Sequence, residues 1–256
     1  MKLCSRSRPN VVVVGYGYAG RAFHSYLVGL TPGLRLHGIA VGDPEKQARA
    51  RAERGGTIYA TFEEALADPE VDLVVLATPN STHCELAVRA MDAGKRVVTD
   101  KIMCLDLGEC DRMIAASERN GVLLSVFQNR RWDGDFLTLR GLLERGELGE
   151  LRWLEMAWQG PRPMGRWRGE AAMGGGRLYD LGAHLLDQVM LLFPQAVRSV
   201  YCNLHHDHAG TDTESHALVV VDFEGGSTAV ADTGSMHFIS KPRIYACGTK
   251  ATFLRH

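Results

Sequence analysis

The sequence predicts an α/β protein in two parts. A doubly wound parallel sheet occupies residues 1–127, and an α+β domain with a largely antiparallel sheet occupies 128–256. Three observations predict this. Residues 11–14 are a continuous run of valines that leads straight into Gly15-Tyr16-Gly17-Tyr18-Ala19-Gly20. Strand-length apolar runs then alternate with helix-length segments as far as Phe127, the rhythm of βαβ units. Beyond Phe127, long strands follow one another without helices between them, which requires antiparallel or mixed pairing.

The elements follow in order. Residues 11–14 are apolar at every position, as in a strand buried on both faces. A helix over 21–30 ends at Thr31-Pro32-Gly33. Residues 34–41 make a second strand. Pro44 stands at a first helical position, and 45–54 continue the helix. A short strand at 57–60 and a short helix at 62–67 precede the Asp68-Pro69 turn. Strand 71–77, helix 81–93, strand 95–99, helix 105–120 and strand 122–127 complete the first half. Gly94 and Gly121 stop the two helices. In the second half, 135–145 is helical and 151–159 alternates as a strand. A Gly/Pro/Arg-rich loop fills 160–176, and 178–193 is a strongly apolar helix. Strands at 197–205, 215–223, 228–237 and 243–247 follow, with Glu224-Gly225-Gly226 suited to a hairpin turn.

At 256 residues the chain is comfortable for two domains and needs no disulfide staple. A formal net charge of −1 gives no electrostatic case for nucleic acid or an anionic membrane as partner. Cys4, Cys84, Cys104, Cys110, Cys202 and Cys247 include no C-x-x-C pair. They read as reduced thiols, and a cytoplasmic location is expected. The basic start before Val11 is followed by an apolar run too short for a signal-peptide core. No run approaches the 18 or so apolar residues of a membrane span.

The glycine loop follows a strand and opens a helix, the setting of a dinucleotide-binding fingerprint. Gly15 permits the tight turn, Gly17 lets a pyrophosphate approach the backbone, and Gly20 lets helix and strand pack closely. Tyr16, Tyr18 and Ala19 share the loop, and the helix N-terminus supplies N–H donors. An ordinary glycine turn is the plainer alternative. A carboxylate at the end of the second strand would bind a ribose 2′-hydroxyl. Asp43 stands slightly beyond that point, so Lys46 or Arg49 could meet a 2′-phosphate. The balance between NAD and NADP tips to NADP.

Thr78-Pro79-Asn80 and Asp100-Lys101 stand at the carboxyl ends of two strands, where ligands of open α/β sheets bind. Lys101 could polarise a substrate hydroxyl or carbonyl, or be a plain surface lysine. Asp180, His184 and Asp187 recur at i, i+4 and i+7, a spacing that stacks them on one helix face. A histidine beside a carboxylate can serve as general acid/base near neutral pH. A capping aspartate with a buried, satisfied histidine fits the spacing equally well.

Together these residues resemble the Gfo/Idh/MocA family of NAD(P)-dependent oxidoreductases, which act on sugars, inositols and related polyols. The matching pieces are Val14-Gly15-Tyr16-Gly17, Thr78 to His83, Asp100-Lys101, and Tyr179-Asp180-Leu181-Gly182 with His184 and Asp187. The run from Phe127 through Asp133, with Asp135 to Thr138, resembles the scyllo-inositol dehydrogenase branch. The resemblance implies a Rossmann domain that binds cofactor through Gly15–Gly20, Thr78, Pro79, Asn80, His83, Asp100 and Lys101. It implies Lys101, Asp180 and His184 as catalytic residues, and Asn129, Arg131 and Asp187 as weaker candidates for the substrate site. A small-molecule polyol or sugar is the expected partner, in a homo-oligomer where the second domain is complete. A glycosidase of the same family and a non-catalytic cofactor-binding fragment are the competing functions.

Two departures stand out. Asp100-Lys101-Ile102 replaces the family's Glu-Lys-Pro. Family members also run many tens of residues past the Gly-Thr-Lys at 248–250, whereas this chain stops at His256. The second domain is therefore expected to lack strands and to be the looser half. No metal site is expected: His205-His206-Asp207-His208 reads as a solvated loop. Trp153, Trp158 and Trp167 could line a sugar site, with core packing the better expectation for the first two.

Overall fold

A computed structural model describes residues 8–161 and 165–256. It divides into two compact units, Met1–Phe127 and Gln128–His256. The basic start up to residue 7, with Cys4, and part of the loop at 160–176 lie outside the described residues.

The first unit is a six-stranded parallel sheet. Its strands are β1 (Asn10–Val14), β2 (Arg35–Ala40), β3 (Thr57–Tyr59), β4 (Leu73–Leu76), β5 (Arg96–Thr99) and β6 (Leu124–Val126), in the order β3-β2-β1-β4-β5-β6. The order reverses between β1 and β4, the switch point beside which such sheets bind ligands. β1 and β4 are buried along their whole lengths because helices cover both faces. Helix α1 runs over 20–30. Its first five residues, Gly20–His24, form a π turn, and Ser25–Leu30 is regular α-helix. Helix α2 (Pro44–Arg54) is capped by Asp43, which accepts from the Glu45 and Lys46 N–H groups. The short α3 is Phe62–Ala67. Helix α4 (His83–Asp92) starts two residues later than periodicity suggests, behind a 3₁₀ turn at Asn80–Thr82. Helix α5 (Leu107–Asn120) is capped by Asp106 and stopped by left-handed Gly121.

Asp68 ties one edge of this unit together. It accepts from the Tyr59 hydroxyl at 2.5 Å and the Glu70 N–H at 2.7 Å, and faces His37 Nε2 at 3.2 Å. These contacts, the Tyr59 bond first, hold its carboxyl down at about 2. A carboxyl depressed in the folded state adds stability above its unfolded pKa, and that stability is lost as pH falls through the folded value. Between about pH 4 and about pH 2 the melting temperature should therefore fall less steeply for Asp68→Asn than for the parent. Identical slopes in a pH series of thermal melts would show that Asp68 carries none of the acid sensitivity.

The second unit holds helices α6 (Gly134–Glu144) and α7 over 178–192, which opens as a π turn at Leu178–Gly182 and continues as Ala183–Leu192. Its sheet is mixed, in the order β12-β11-β7-β10-β9-β8. The strands are β7 (Leu151–Gln159), β8 (Val197–His205), β9 (His216–Phe223), β10 (Thr228–Gly234), β11 (Ile244–Gly248) and β12 (Thr252–Arg255). Only β7 and β10 run parallel to each other. Both helices pack on one face. Phe136, Leu139, Leu185 and Val189 meet Leu154, Met156, Val219, Val221, Ala231 and Ile244 there. Burying a side chain such as Phe136 contributes roughly 1.5–3 kcal/mol.

Trp153 corrects one expectation. It alternates with Leu154 onto the opposite face and is 40% exposed, so it is not a core residue. Strand β10 ends at Gly234, three residues short of its sequence signal. Among the described residues no helix is long and apolar enough to cross a membrane.

Candidate active site

The glycine loop of the first unit assigns a separate physical role to each glycine. Gly15 has φ of +92°, and a Cβ there would lie 2.6 Å from the Ala77 carbonyl oxygen. That conformation and that contact admit only glycine. A Cβ on Gly20 would sit 2.0 Å from the Gly15 oxygen, so Gly20 lets α1 pack against the turn. Gly17 differs: nothing lies within 4 Å of where its Cβ would be. The fold makes no demand for glycine at 17, and the open space fits a group brought in from outside. A pyrophosphate approaching the N–H groups at the start of α1 has that requirement.

The other loop residues divide by exposure. Tyr16 is a core residue: its ring packs with Ile39 and Ala50, and its hydroxyl donates to Glu53 Oε2 at 2.9 Å. It can offer a phosphate only its backbone N–H. Tyr18 is 77% exposed and meets Phe23 edge-on, with ring centroids 5.5 Å apart. Asp43 spends its carboxylate on the α2 cap and on Lys46, whose Nζ is 3.2 Å away.

Two neighbouring strand ends extend the same edge of the sheet. After β4, the Thr78 and Thr82 hydroxyls meet at 2.6 Å, and Asn80 is buried. His83 is fully buried and bridges two loops. Its Nδ1 lies 2.7 Å from the Ile102 carbonyl and its Nε2 3.0 Å from the Thr78 carbonyl. Burial pushes this imidazole below its usual pKa, against the pull of both carbonyls. His83 is thus a buried clamp between the two strand-end loops rather than an exposed ligand. After β5, burial works against the Asp100 carboxylate. His24 Nε2 at 3.3 Å and the Lys101 N–H at 2.8 Å outweigh it, so the carboxyl lies below its ordinary range. Asp100 in this way fixes the backbone from which Lys101 projects. Gly15–Gly20, Thr78–Asn80 and Asp100–Lys101 follow adjacent strands β1, β4 and β5, at their carboxyl ends.

In the second unit the catalytic candidates lie on α7. His184 is 5% exposed, and its Nδ1 lies 3.1 Å from Gln128 Oε1. A neutral His184 whose Nδ1 donates to Gln128 Oε1 carries its lone pair on Nε2. The Trp158 ring lies 6.1 Å from the His184 ring, and the Arg130 and Arg243 guanidinium groups stack on it at 5.0 and 4.3 Å. Trp158 therefore stands beside His184 instead of serving only as core.

Asp180 accepts from Arg168 at 3.2 Å, and Arg168 covers the Trp167 ring. Asp187 is gripped by both arms of Arg131, at 2.8 and 2.6 Å, and it raises the Arg131 pKa. Two of the three weaker substrate candidates thus engage each other, and the third, Asn129, stands half-buried beside Arg130. The single stripe expected from i, i+4, i+7 spacing needs correction. The π turn at Leu178–Gly182 interrupts the 3.6-residue period between Asp180 and His184, and the three groups take different partners.

Residues 9–128 match the family model for the oxidoreductase family with NAD-binding Rossmann fold. Residues 136–254 match the model for the GFO/IDH/MocA C-terminal domain. The chain belongs to the Gfo/Idh/MocA family. It is similar to the uncharacterized oxidoreductase YdgJ of Escherichia coli, at 42% identity over 72% of this chain and 53% of that protein. It is also similar to the NADP⁺-linked scyllo-inositol 2-dehydrogenase IolW of Bacillus subtilis, at 31% identity over 96% of this chain and 68% of that one. The chain thus spans about half the length of the first relative and about two thirds of the second. Among solved structures, an NAD-binding protein from Listeria innocua superposes with a TM-score of 0.92 at 37% identity, covering 97% of this chain and 71% of the other.

As a Gfo/Idh/MocA chain, this protein keeps the strand-end lysine while changing its neighbours. The Lys101–Ile102 peptide is cis, and the Ile102 carbonyl is held by His83. Gln128, Trp158 and Arg168, beside His184 and Asp180, escape a sequence reading. Gln128 was within reach, as the first residue of the unusual run after Phe127. Trp158 and Arg168 carry no local signal, because their roles depend on pairing across the fold.

Proposed function

We propose that this chain moves a hydride between a nicotinamide cofactor and a secondary alcohol or ketone carbon of a sugar or cyclic polyol. The observation that carries the reading is the open space at Gly17, flanked by two glycines that the fold itself requires. The residues that would hold the dinucleotide are Gly15–Gly20, Thr78, Pro79 and Asn80. The nicotinamide, when bound, supplies the carbon that accepts or returns hydride. Lys101 donates a hydrogen bond to the reacting oxygen. His184 takes the hydroxyl proton at Nε2 during oxidation and returns it during reduction, while Gln128 holds Nδ1. Asp180, held by Arg168, is the acidic member of the catalytic set.

NADP is the favoured cofactor on this reading. The Asp43 carboxylate is already committed to the α2 cap and to Lys46, and Arg49 supplies further cationic charge on α2. A relative named as NADP⁺-linked points the same way. The inositol class of substrate rests on that relative and on the run after Phe127. A cytoplasmic setting suits the unpaired thiols of Cys84, Cys104, Cys110, Cys202 and Cys247. Self-association suits the sheet face that exposes Trp153, Tyr201, Tyr245 and Leu254.

The test is turnover. A panel of inositols and sugars with NADP⁺ and with NAD⁺ should yield reduced cofactor, faster with NADP⁺ and cyclic polyols. No net reduction with any alcohol, or glycoside cleavage without net cofactor change, would refute the reading.

A further inference from the structure

The second sheet carries, on the face away from α6 and α7, a side-chain cluster that the hydride chemistry does not use. In the antiparallel pair β9/β10, His216 lies opposite Gly234 and Leu218 opposite Asp232. These even-numbered residues share one face, because Val219, Val221, Ala229 and Ala231 belong to the helix-side core. Glycine at 234 leaves the position beside His216 unfilled, and His237 folds back into it. A Cβ on Gly234 would lie 2.5 Å from His237 Cε1 and 2.8 Å from His216 Cδ2. The two imidazole centroids are 5.2 Å apart, and His216 Nε2 is 2.8 Å from Asp232 Oδ1. One nitrogen of each histidine and one Asp232 oxygen all fall within 4.8 Å of one another.

One further observation points to a ligand: His237 Nδ1 is enclosed by protein and has no hydrogen-bond partner. Asp232, 3% exposed, is already a buried carboxylate held by His216 and Lys241.

We propose that His216, Asp232 and His237 bind a divalent transition-metal ion, zinc foremost, through two imidazole nitrogens and one carboxylate oxygen. Two neutral imidazoles with a carboxylate are a zinc donor set, with water or another group in the fourth position. Bonds of about 2.0–2.2 Å in a tetrahedron set ligand atoms about 3.4 Å apart. The His216–Asp232 edge, at 2.8 Å, is shorter than this and opens slightly, so the closure, at most about 1.4 Å, falls to His237. His237 stands beyond the end of β10, outside the strand ladder.

Ligation needs the His216 tautomer that carries its one proton on Nδ1, so that the Nε2 lone pair and the Asp232 oxygen both face the ion. The other Asp232 oxygen keeps Lys241 Nζ at 2.9 Å, and Lys241 also pairs with Glu155 at 2.7 Å. The ammonium thus becomes an outer partner that orients the ligating carboxylate. An ion here would tie the segment after Gly234 to the sheet.

The experiment uses the full chain without a histidine tag, stripped by chelator and titrated with Co²⁺ and then Zn²⁺. One equivalent of Co²⁺ should produce the intense visible absorption of a tetrahedral site, and Zn²⁺ should displace it and raise the melting temperature. His237→Gln and Asp232→Asn should each weaken uptake at least tenfold. Asp232→Asn also removes the partner of Lys241, so His237→Gln keeps the test decisive if the first variant is poorly folded by circular dichroism. Absence of stoichiometric uptake, uptake unchanged in a folded His237→Gln protein, or uptake lost instead in a His206→Gln/His208→Gln variant would overturn the proposal.

Discussion

Gly17→Val should leave the fold and melting temperature close to those of the parent while abolishing dinucleotide binding. The basis is the contrast among the three loop glycines. At Gly15 and Gly20 a Cβ collides with backbone at 2.6 and 2.0 Å, so substitution there damages the protein itself. At Gly17 a valine side chain meets no protein atom near its Cβ and occupies only the approach of the pyrophosphate. Cofactor affinity should fall by at least about 100-fold, or about 2.8 kcal/mol at 1.4 kcal/mol per decade. Titration calorimetry with NADPH and NADH, alongside a thermal melt, reads both sides of the contrast. Unchanged affinity in a folded Gly17→Val protein would remove the loop from the cofactor site. Gly20→Val serves as the comparison and should lose stability instead.

His184→Ala and Lys101→Met should each lower kcat by roughly 10²–10⁴-fold with cofactor binding retained. The Gln128 contact adds a sharper expectation. If Gln128 fixes the Nδ1–H form of His184, Gln128→Leu should both lower kcat and displace the limb of the pH–rate profile that reports the imidazole. A structural loss alone would lower the rate without moving that limb. Near-parental turnover in both His184→Ala and Lys101→Met would show that the acid/base assignment is wrong.

Where backbone geometry admits one residue type, the fold was legible in the sequence. Gly15 at positive φ, Pro44 at a first helical position and Gly121 past the end of α5 each mark a boundary that the structure reproduces. The parallel sheet was legible because β1 and β4 must be apolar on both faces. The switch between β1 and β4 follows from the glycine loop standing after β1.

The two π turns were not legible. They lie inside helices whose composition is ordinary, and their extra residue is set by packing. This is why Asp180, His184 and Asp187 looked like one stripe. The partners of those groups lie far along the chain: Gln128 is 56 residues from His184 and Arg131 is 56 from Asp187. His216, Asp232 and His237 meet only through the β9/β10 register and the missing side chain of Gly234. The clustered histidines at 205, 206 and 208 stand out in the sequence, yet spacing along a strand end says little about which side chains converge.

Hydride exchange between a polyol carbon and nicotinamide can be followed by isotope transfer. The protein is incubated with NADP⁺ and with NAD⁺ and a cyclic polyol carrying deuterium on its carbinol carbons. The reduced cofactor is then weighed by mass spectrometry. The account predicts a reduced dinucleotide heavier by one deuterium, formed by the parent and not by Gly17→Val. Reduced cofactor without the label, or none formed across the inositols and sugars, would contradict it.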